Sequence, residues 1–452
     1  MKRFIGTKQF YFITLSIALP IMAQQFVTSF VNLIDNIMIG SVGSIALTSV
    51  TVSNRIYLIF NSTLFGMCGA AGIFIAQYHG AKNHVNCQKI LNINIVCSMT
   101  SALLFMLAIL LFPSQLIRIF SNNPVVIEES LRYLKYILFA YLPYAISYSI
   151  MMALRSVGIN KIQLGIGILS VCINTTLNYI LIFGHFGLPA LGIQGAAIAT
   201  SIARIVEMIV YLFLLFQHKH YFKLDIKGIF HLDLKLIASM IKKAIPLTAN
   251  EILFSVALAT IFLSYTRCDE TLIPALSVVD TVMQVAYILF SGLSSAVSIL
   301  IGNKLGADEL LEAKDNSIKL IAFGVMIAVM VTGVLFVSAP LIANFYNVED
   351  FVKETIVILL RIKSFLLPVY VYNVCIFFVL RAGGDTLSTL IMDSGFLWCF
   401  NVFISTVLSI KFDIPLVYLY AFIESLDVLK LFIATYFYKK GKWLKNITQV
   451  TA

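Results

Sequence analysis

The sequence predicts an all-α integral membrane protein of twelve transmembrane helices, arranged in two six-helix lobes related by a pseudo-two-fold axis along the membrane normal. Three observations carry that prediction. Of 452 residues, 60% are hydrophobic and 12% charged, with a mean hydropathy of +0.94, far outside the mix of a soluble domain. The apolar residues fall in continuous runs rather than in alternation, which selects helices over a barrel. Finally, the chain repeats itself at an offset of 226 residues (246 − 20).

Four registers define the repeat. Pro20 in IALPIMAQQF matches Pro246 in KAIPLTANEI, and Gly66 in LFGMCGAA matches Gly292 in FSGLSSAV. Gly80 in IAQYHGAKN matches Gly306 in IGNKLGADE, and Arg155 in LRSVGIN matches Arg381 in LRAGGDT. A common offset at four places signals a duplicated unit. An even number of crossings per unit makes both halves run in the same sense through the bilayer.

Spans of roughly 20 residues suffice to cross the hydrocarbon. In the first half they lie near residues 11–39, 50–77, 90–112, 131–153, 162–183 and 193–217. In the second they lie near 239–265, 272–301, 318–340, 354–380, 388–409 and 414–438. The first run continues to about residue 39, too far for the apolar core of a signal peptide. The lobes are therefore expected at 1–217 and 238–452, joined by a basic linker over 218–237, HKHYFKLDIKGIFHLDLKLI.

With the N-terminus inside, 21 Lys and Arg residues fall in cytoplasmic loops and 8 outside, Arg155 and Arg381 being counted with the inner set. The positive-inside rule then places both termini and the linker in the cytoplasm of a multi-pass cell-membrane protein. The net charge of +10 reads as a topology signal facing anionic headgroups and calls for no nucleic-acid partner. Seven scattered cysteines suggest neither a disulfide framework nor a metal site. His218, His220 and His231 in the linker are read as solvated juxtamembrane residues, because no Cys or carboxylate cluster completes a tetrahedral set.

Ionisable residues inside spans carry the functional reading, since a charge at bilayer depth costs about 3 kcal/mol or more and marks a pathway or an ion pair. Asp35, in FVNLIDNIMIG, has no basic residue within a helical turn. Asn174 and Asn178 lie at i and i+4 on one face of span 5, and Thr200 of span 6 falls at similar depth. These four are expected to converge on one cation: an oxygen-rich set suited to Na⁺, or a carboxylate that takes up a proton. The structural alternative is an Asp35 that caps helix 1 beside asparagines that bind neighbouring helices.

A second group pairs the halves. Glu251 in span 7 has Gln25 as its repeat mate, and Asn250 has Gln24. Each polar pair follows an intrahelical proline, which removes a backbone hydrogen bond and bends the helix. Gln24, Gln25, Asn250 and Glu251 are thus expected to line a central substrate cavity. Arg204 with Glu207, and Asp427 with Lys430, are expected to pair within their own helices at i and i+3. Asp280 and Asp393 have no partner evident in sequence and stand as secondary candidates.

These residues resemble the multidrug and toxic compound extrusion (MATE) transporters over nearly the whole chain. The resemblance runs through LPIMAQQFVTSFVNLIDNIMIG, IAQYHGAKN, NTTLNYILIFGHFGLPALGIQGAAIAT, IPLTANE, GNKLGADELLEAK and LRAGGDT, most specifically from Asn174 to Thr200. It implies export of cationic or amphipathic compounds in exchange for Na⁺ or H⁺, through a cleft open to one membrane face at a time. It also implies that Asp35 is the essential acid of span 1, that Asn174, Asn178 and Thr200 complete its cation cluster, and that Glu251 is a span 7 acid found in some members. Two features depart from the family: Asn178 stands where some relatives carry a second acid, and span 10, VYVYNVCIFFVL, has none. No cofactor beyond a possible Na⁺ and no protein partner is implied, and a monomer is expected.

Two other classes compete. A lipid-linked precursor flippase of a related superfamily would share the helical duplication but requires a more cationic cleft. An intramembrane enzyme is disfavoured because all six His residues fall in predicted loops and no HExxH, GxSxG or P-loop pattern occurs.

Overall fold

Apolar stretches become helices because only helical hydrogen bonding satisfies the backbone within hydrocarbon. The computed structural model describes residues 4–217, 221–412 and 414–449. In the first repeat the spans are α1 Lys8–Gly40, α2 Ser44–Gly80, α3 His84–Leu111, α4 Pro124–Ser156, α5 Lys161–Phe183 and α6 Ile193–Phe216. In the second they are α7 Leu234–Cys268, α8 Ile273–Gly306 after a 3₁₀ turn Glu270–Leu272, α9 Leu310–Asn344, α10 Asp350–Ala382 and α11 Thr386–Lys411. The twelfth stretch is broken into α12 Leu416–Ser425 and α13 Asp427–Lys440. No strand occurs among the described residues.

The duplication is visible in where helices start. α7, α9 and α10 begin exactly 226 residues after α1, α3 and α4 (234 − 8, 310 − 84, 350 − 124), and the turn leading into α8 begins 226 after α2 (270 − 44). Backbone conformation repeats as well. Lys82 and Asp308 both hold positive φ (56° and 64°), as do Gly158 and Gly384 (82° and 71°), each pair again 226 apart. Local chemistry explains several ends. Asn83 and Asn123 cap α3 and α4 through their side chains, with Pro124 at the first position of α4. Gly184 and Gly441 close α5 and α13 in the left-handed conformation.

Most helices extend past the apolar runs, because hydropathy marks the hydrocarbon while hydrogen bonding continues into the headgroup layer. This corrects two expectations. His79 lies in the last turn of α2 and His84 opens α3, so neither is a loop residue. Arg155 and Arg381 are in the last turns of α4 and α10, with Arg381 buried. In the linker, Gln88 of α3 clamps Lys223 by a reciprocal pair of bonds: its amide donates to the Lys223 carbonyl (3.0 Å) and accepts from the Lys223 N–H (3.1 Å). His218 and His220 lie outside the described residues, while His231 Nδ1 meets the Lys227 carbonyl at 3.0 Å.

Two spans depart from regular α geometry. α11 contains wide π-helical turns at Ile391–Gly395 and Leu397–Val402. At the break between α12 and α13 the backbone tightens, the N–H of Leu426 reaching the Ile423 carbonyl and that of Leu429 the Leu426 carbonyl. Asn401 donates to the Ile423 carbonyl (3.2 Å) and Asn373 to the Asp427 carbonyl (3.0 Å). Side-chain amides thereby replace bonds the interruption would leave unmade at membrane depth.

The chain divides into two compact units. One comprises residues 23–248; the other takes residues up to 22 together with 249 onward. We call these the N-unit and the C-unit. The division cuts α1 two residues beyond Pro20 and α7 two residues beyond Pro246, so each unit owns the opening half of the other repeat's first helix. In the C-unit, Ile17, Ala18 and Ile21 of α1 pack with Ala296 and Ile299 of α8. Here Gly292 leaves room: a Cβ on it would stand 2.6 Å from the Ala18 carbonyl oxygen and 2.5 Å from Met22 Cγ. In the N-unit a Cβ on Gly66 would stand 2.5 Å from Thr248 Cα. Met22 and Thr248 are themselves 226 apart, so one glycine-mediated helix contact occurs twice. The N-unit core gathers around Phe60, Leu64 and Tyr141, and the C-unit core around Phe290, Leu293 and Leu380.

The two repeats differ at Val157 and its mate Gly383 (383 − 157 = 226). A Cβ at 383 would fall 2.0 Å from the Trp443 carbonyl oxygen, because the segment after α13 crosses α10 there. Gly383→Val is therefore expected to lower the melting temperature in detergent by several degrees, equivalent to about 1–3 kcal/mol of overpacking, or to prevent accumulation of folded protein. The Val157→Gly change, at a half-buried position, is expected to move it by less than half as much. Fluorescence-detected size-exclusion after heating measures both.

Candidate functional site

Asp35 sits five residues before the end of α1, and three neutral residues of the N-unit surround it. The α5 pair projects from one face. Asn178 Nδ2 donates to Asp35 Oδ1 at 2.7 Å. Asn174, its amide turned to satisfy both neighbours, donates to the two Asp35 oxygens at 3.3 and 3.1 Å and accepts from Thr200 Oγ1 of α6 at 3.2 Å. All four residues predicted to converge are thus in one hydrogen-bonded group. One atom of it is left over: Asn178 Oδ1 is buried with no hydrogen-bond partner. A buried carbonyl in that state is costly unless something fills it.

The group opens on a cavity of about 430 Å³, lined also by Gln24, Tyr57, Asn61, Arg204 and Glu207. Arg204 and Glu207 form the expected pair, Nη1 to Oε2 at 2.7 Å. Ser170 donates to the same Glu207 oxygen (3.2 Å), and the guanidinium stacks over Tyr144 at 4.7 Å. Tyr144 in turn donates to Asn61 (2.6 Å). Arg204 is therefore the cavity's basic wall, committed to its own acid, while the asparagines hold Asp35.

The C-unit gathers a different set. Asn250 of α7 donates to Asp393 Oδ2 at 3.1 Å, and Lys430 Nζ of α13 reaches Asp393 Oδ1 at 2.5 Å. Ser394 donates through its hydroxyl to the Asn250 side-chain oxygen (2.7 Å). Glu251 pairs with Arg381 at 3.7 Å. This corrects the expected Asp427–Lys430 pair. Lys430 goes to Asp393, which lies within a π-helical turn of α11, and so Asp393 acquires the partner that sequence alone did not show. Asp280, on α8, has Lys363 as the opposite charge acting on it and joins neither group.

Of the predicted cavity residues, Gln24 faces the N-unit cavity and accepts from Arg155 Nη2 (3.2 Å), and Gln25 beside it is exposed. Asn250 and Glu251 are taken up by the C-unit bonds above. The hydrogen bond from Arg155 to Gln24 and the ion pair of Arg381 with Glu251 run against the reading of both arginines as loop residues. The offset held the signal: the two arginines are repeat mates, and each reaches the polar pair of a proline-containing helix.

Duplicated six-helix halves, one of which encloses an acid-bearing polar cavity at membrane depth, define a polytopic membrane transporter. The chain belongs to the multidrug and toxic compound extrusion family: the MatE family model matches residues 20–180 and again 246–407, two copies that start 226 residues apart. The chain is 25% identical over 401 residues to the probable multidrug resistance protein YoeA of Bacillus subtilis strain 168, covering 86% of this chain and 85% of that protein. It is 25% identical over 302 residues to the multidrug resistance protein NorM of Vibrio cholerae O1 El Tor Inaba N16961, covering 65% of each. In fold it is similar to an outward-facing multidrug resistance MATE transporter of the MOP superfamily, with a TM-score of 0.87, 15% identity and 95% of both chains covered.

Because Glu207 is the only acid bonded to Arg204 in this cavity, Glu207→Ala is expected to cost about 2 kcal/mol, below the range for a fully buried pair because Arg204 keeps some exposure. The double variant Arg204→Leu/Glu207→Ala is expected to recover at least half of that loss. Thermal unfolding of the purified protein reads both.

Proposed function

We propose that the protein is a secondary active antiporter that exports cationic or amphipathic small molecules in exchange for Na⁺ or H⁺ by alternating access, working in the cell membrane as a monomer with both termini in the cytoplasm. The observation that carries this reading is the Asp35 group: a carboxylate held by neutral amides, next to an unfilled carbonyl, on the wall of a cavity. The two relatives named above, both multidrug resistance proteins, agree with the substrate class.

The chemistry follows from the donor set. The asparagine amides orient Asp35 without neutralising it, so its negative charge is available to an incoming cation. Na⁺ would take Asp35, Asn178 Oδ1 and Thr200 Oγ1 as oxygen ligands; a proton would need only the carboxylate. Either ion discharges the acid, and an ion and a cationic substrate then compete for the same field. That competition allows an ion running down its gradient to displace a substrate moving up its own. Gln24, Gln25, Asn250 and Glu251 are the side chains we assign to substrate contact. The chain carries no nucleotide-binding motif that would drive transport by hydrolysis, and ion coupling fills that role.

Asp35→Asn keeps shape and removes charge. It is expected to leave an ethidium binding that is weaker and no longer sensitive to Na⁺ or pH, while abolishing export from proteoliposomes driven by an imposed Na⁺ or pH gradient. Normal gradient-driven export by well-folded Asp35→Asn protein would exclude the mechanism. Thr200→Ala, which removes a neutral ligand, and Asn174→Ala, which removes an amide donor to the carboxylate, are each expected to lower ion affinity by roughly 10-fold. A single cysteine placed at Gln25 or at Glu251 is expected to react with a water-soluble maleimide and to be protected by ethidium. Absence of reaction at both positions under every ion condition would remove them from the substrate path.

A further inference from the structure

The acids of the two units are satisfied in opposite ways. Asp35 of the N-unit accepts hydrogen bonds from two neutral amides. Asp393 of the C-unit accepts from one amide, Asn250, and from the ammonium of Lys430, which is 7% exposed. The offset shows that this is one architectural slot filled differently. Asn250 is the mate of Gln24, and Asp393 is the mate of Gly167 (393 − 226), against which Gln24 lies: a Cβ on Gly167 would stand 3.5 Å from Gln24 Cγ. Lys430 is the mate of Arg204 (430 − 226), whose guanidinium is spent on Glu207. The slot that is bare glycine in one unit therefore carries a complete ion pair in the other. Its acid sits on a π-helical turn, a local widening of the kind found at functional positions.

We infer that Lys430 is a tethered cation: its ammonium occupies the seat at Asp393 that an exchangeable ion would otherwise take, so the C-unit does not exchange an ion there and the transporter moves one coupling ion per cycle, at Asp35. The inference rests on the antiporter reading above and adds its stoichiometry. A covalently tethered ammonium has an effective concentration that free ions do not match, and expelling it would strand a buried charge. The neighbouring acid follows the same rule. Glu251 faces the Arg381 guanidinium, and Glu424 is paired with Lys363. Asp427 opens α13, where the helix N-terminus favours an acid, and Asp280 is exposed on α8. Asp35 is the cavity acid whose hydrogen-bond partners are all neutral.

One ion against one monovalent cation is electroneutral exchange, and this gives the test. The full chain is reconstituted and loaded with ethidium, with a tenfold gradient of Na⁺ or of H⁺, whichever drives export, and the membrane potential clamped by K⁺ and valinomycin. The expected steady state is a tenfold ethidium gradient that does not change with the clamped potential. The ratio is expected to be the same in Asp393→Asn protein, whatever its rate. A hundredfold gradient that responds to potential, falling to tenfold in Asp393→Asn, would overturn the inference. Equilibrium binding of Na⁺ and proton uptake by the purified protein give the second measure: one ion per chain in the wild type, two in Lys430→Met, and one again in Lys430→Met/Asp393→Asn. A Lys430→Met protein that folds and binds no second ion also overturns it, and if that variant does not fold, the wild-type and Asp393→Asn ratios decide. Failure of the antiporter reading looks different: no ion gradient then drives ethidium out of wild-type liposomes.

Discussion

A carboxylate at membrane depth must be satisfied from within the protein, and the placement of polar groups in this chain follows from that constraint. Water is not available to share the cost, so each acid recruits donors from neighbouring helices, and the choice of donor fixes what the acid can do next. Amide donors at Asp35 leave a charge that attracts a mobile cation. Ammonium and guanidinium donors at Asp393, Glu424 and Glu251 consume it. The same constraint explains the amides at the α12–α13 break, where Asn373 and Asn401 take backbone carbonyls as partners.

Much of the architecture was legible in the sequence because hydrophobic length and an exact duplication are both one-dimensional signals. Every predicted span corresponds to helix, and four of the six pairs of helix starts obey the 226-residue offset that relates Pro20 to Pro246. The Asp35 group was legible for a related reason. Asn174 and Asn178 share a helix face by spacing, and Asp35 lacked any local base, so an unsatisfied acid and a polar face in the same half could be matched by depth. The partner of Lys430 was not legible that way. An i, i+3 acid at Asp427 offered a local answer, whereas the true partner lies on another helix and in a π-helical turn, which redirects a side chain without a composition signal. Arg155 and Arg381 were misplaced because a basic residue at the edge of an apolar run looks the same whether it faces water or turns inward.

Duplication also shows what diverged afterwards. Contacts made by backbone and glycine have been kept in both copies: the left-handed turns at Lys82 and Asp308, and the close approaches at Gly66 and Gly292. The interior acids have not, since Asp35 has Ile261 as its mate, Glu207 has Ile433, and Asp393 has Gly167. A shared frame constrains the backbone at every crossing but leaves the polar interior of each half free to specialise. Gly383 marks a turn where the frame itself changed, because the segment after α13 crosses it at Trp443.

The division of α1 and α7 between the compact units bears on how the chain is made. A ribosome that has completed residues 1–217 has not yet supplied the opening half of α7 that the N-unit incorporates, and it has already released residues 4–22, whose packing partners on α8 are nearly 300 residues from the start. Neither unit can therefore finish folding as an independent translation product. The opening half of α1 must wait, only partly packed, until α8 has been inserted.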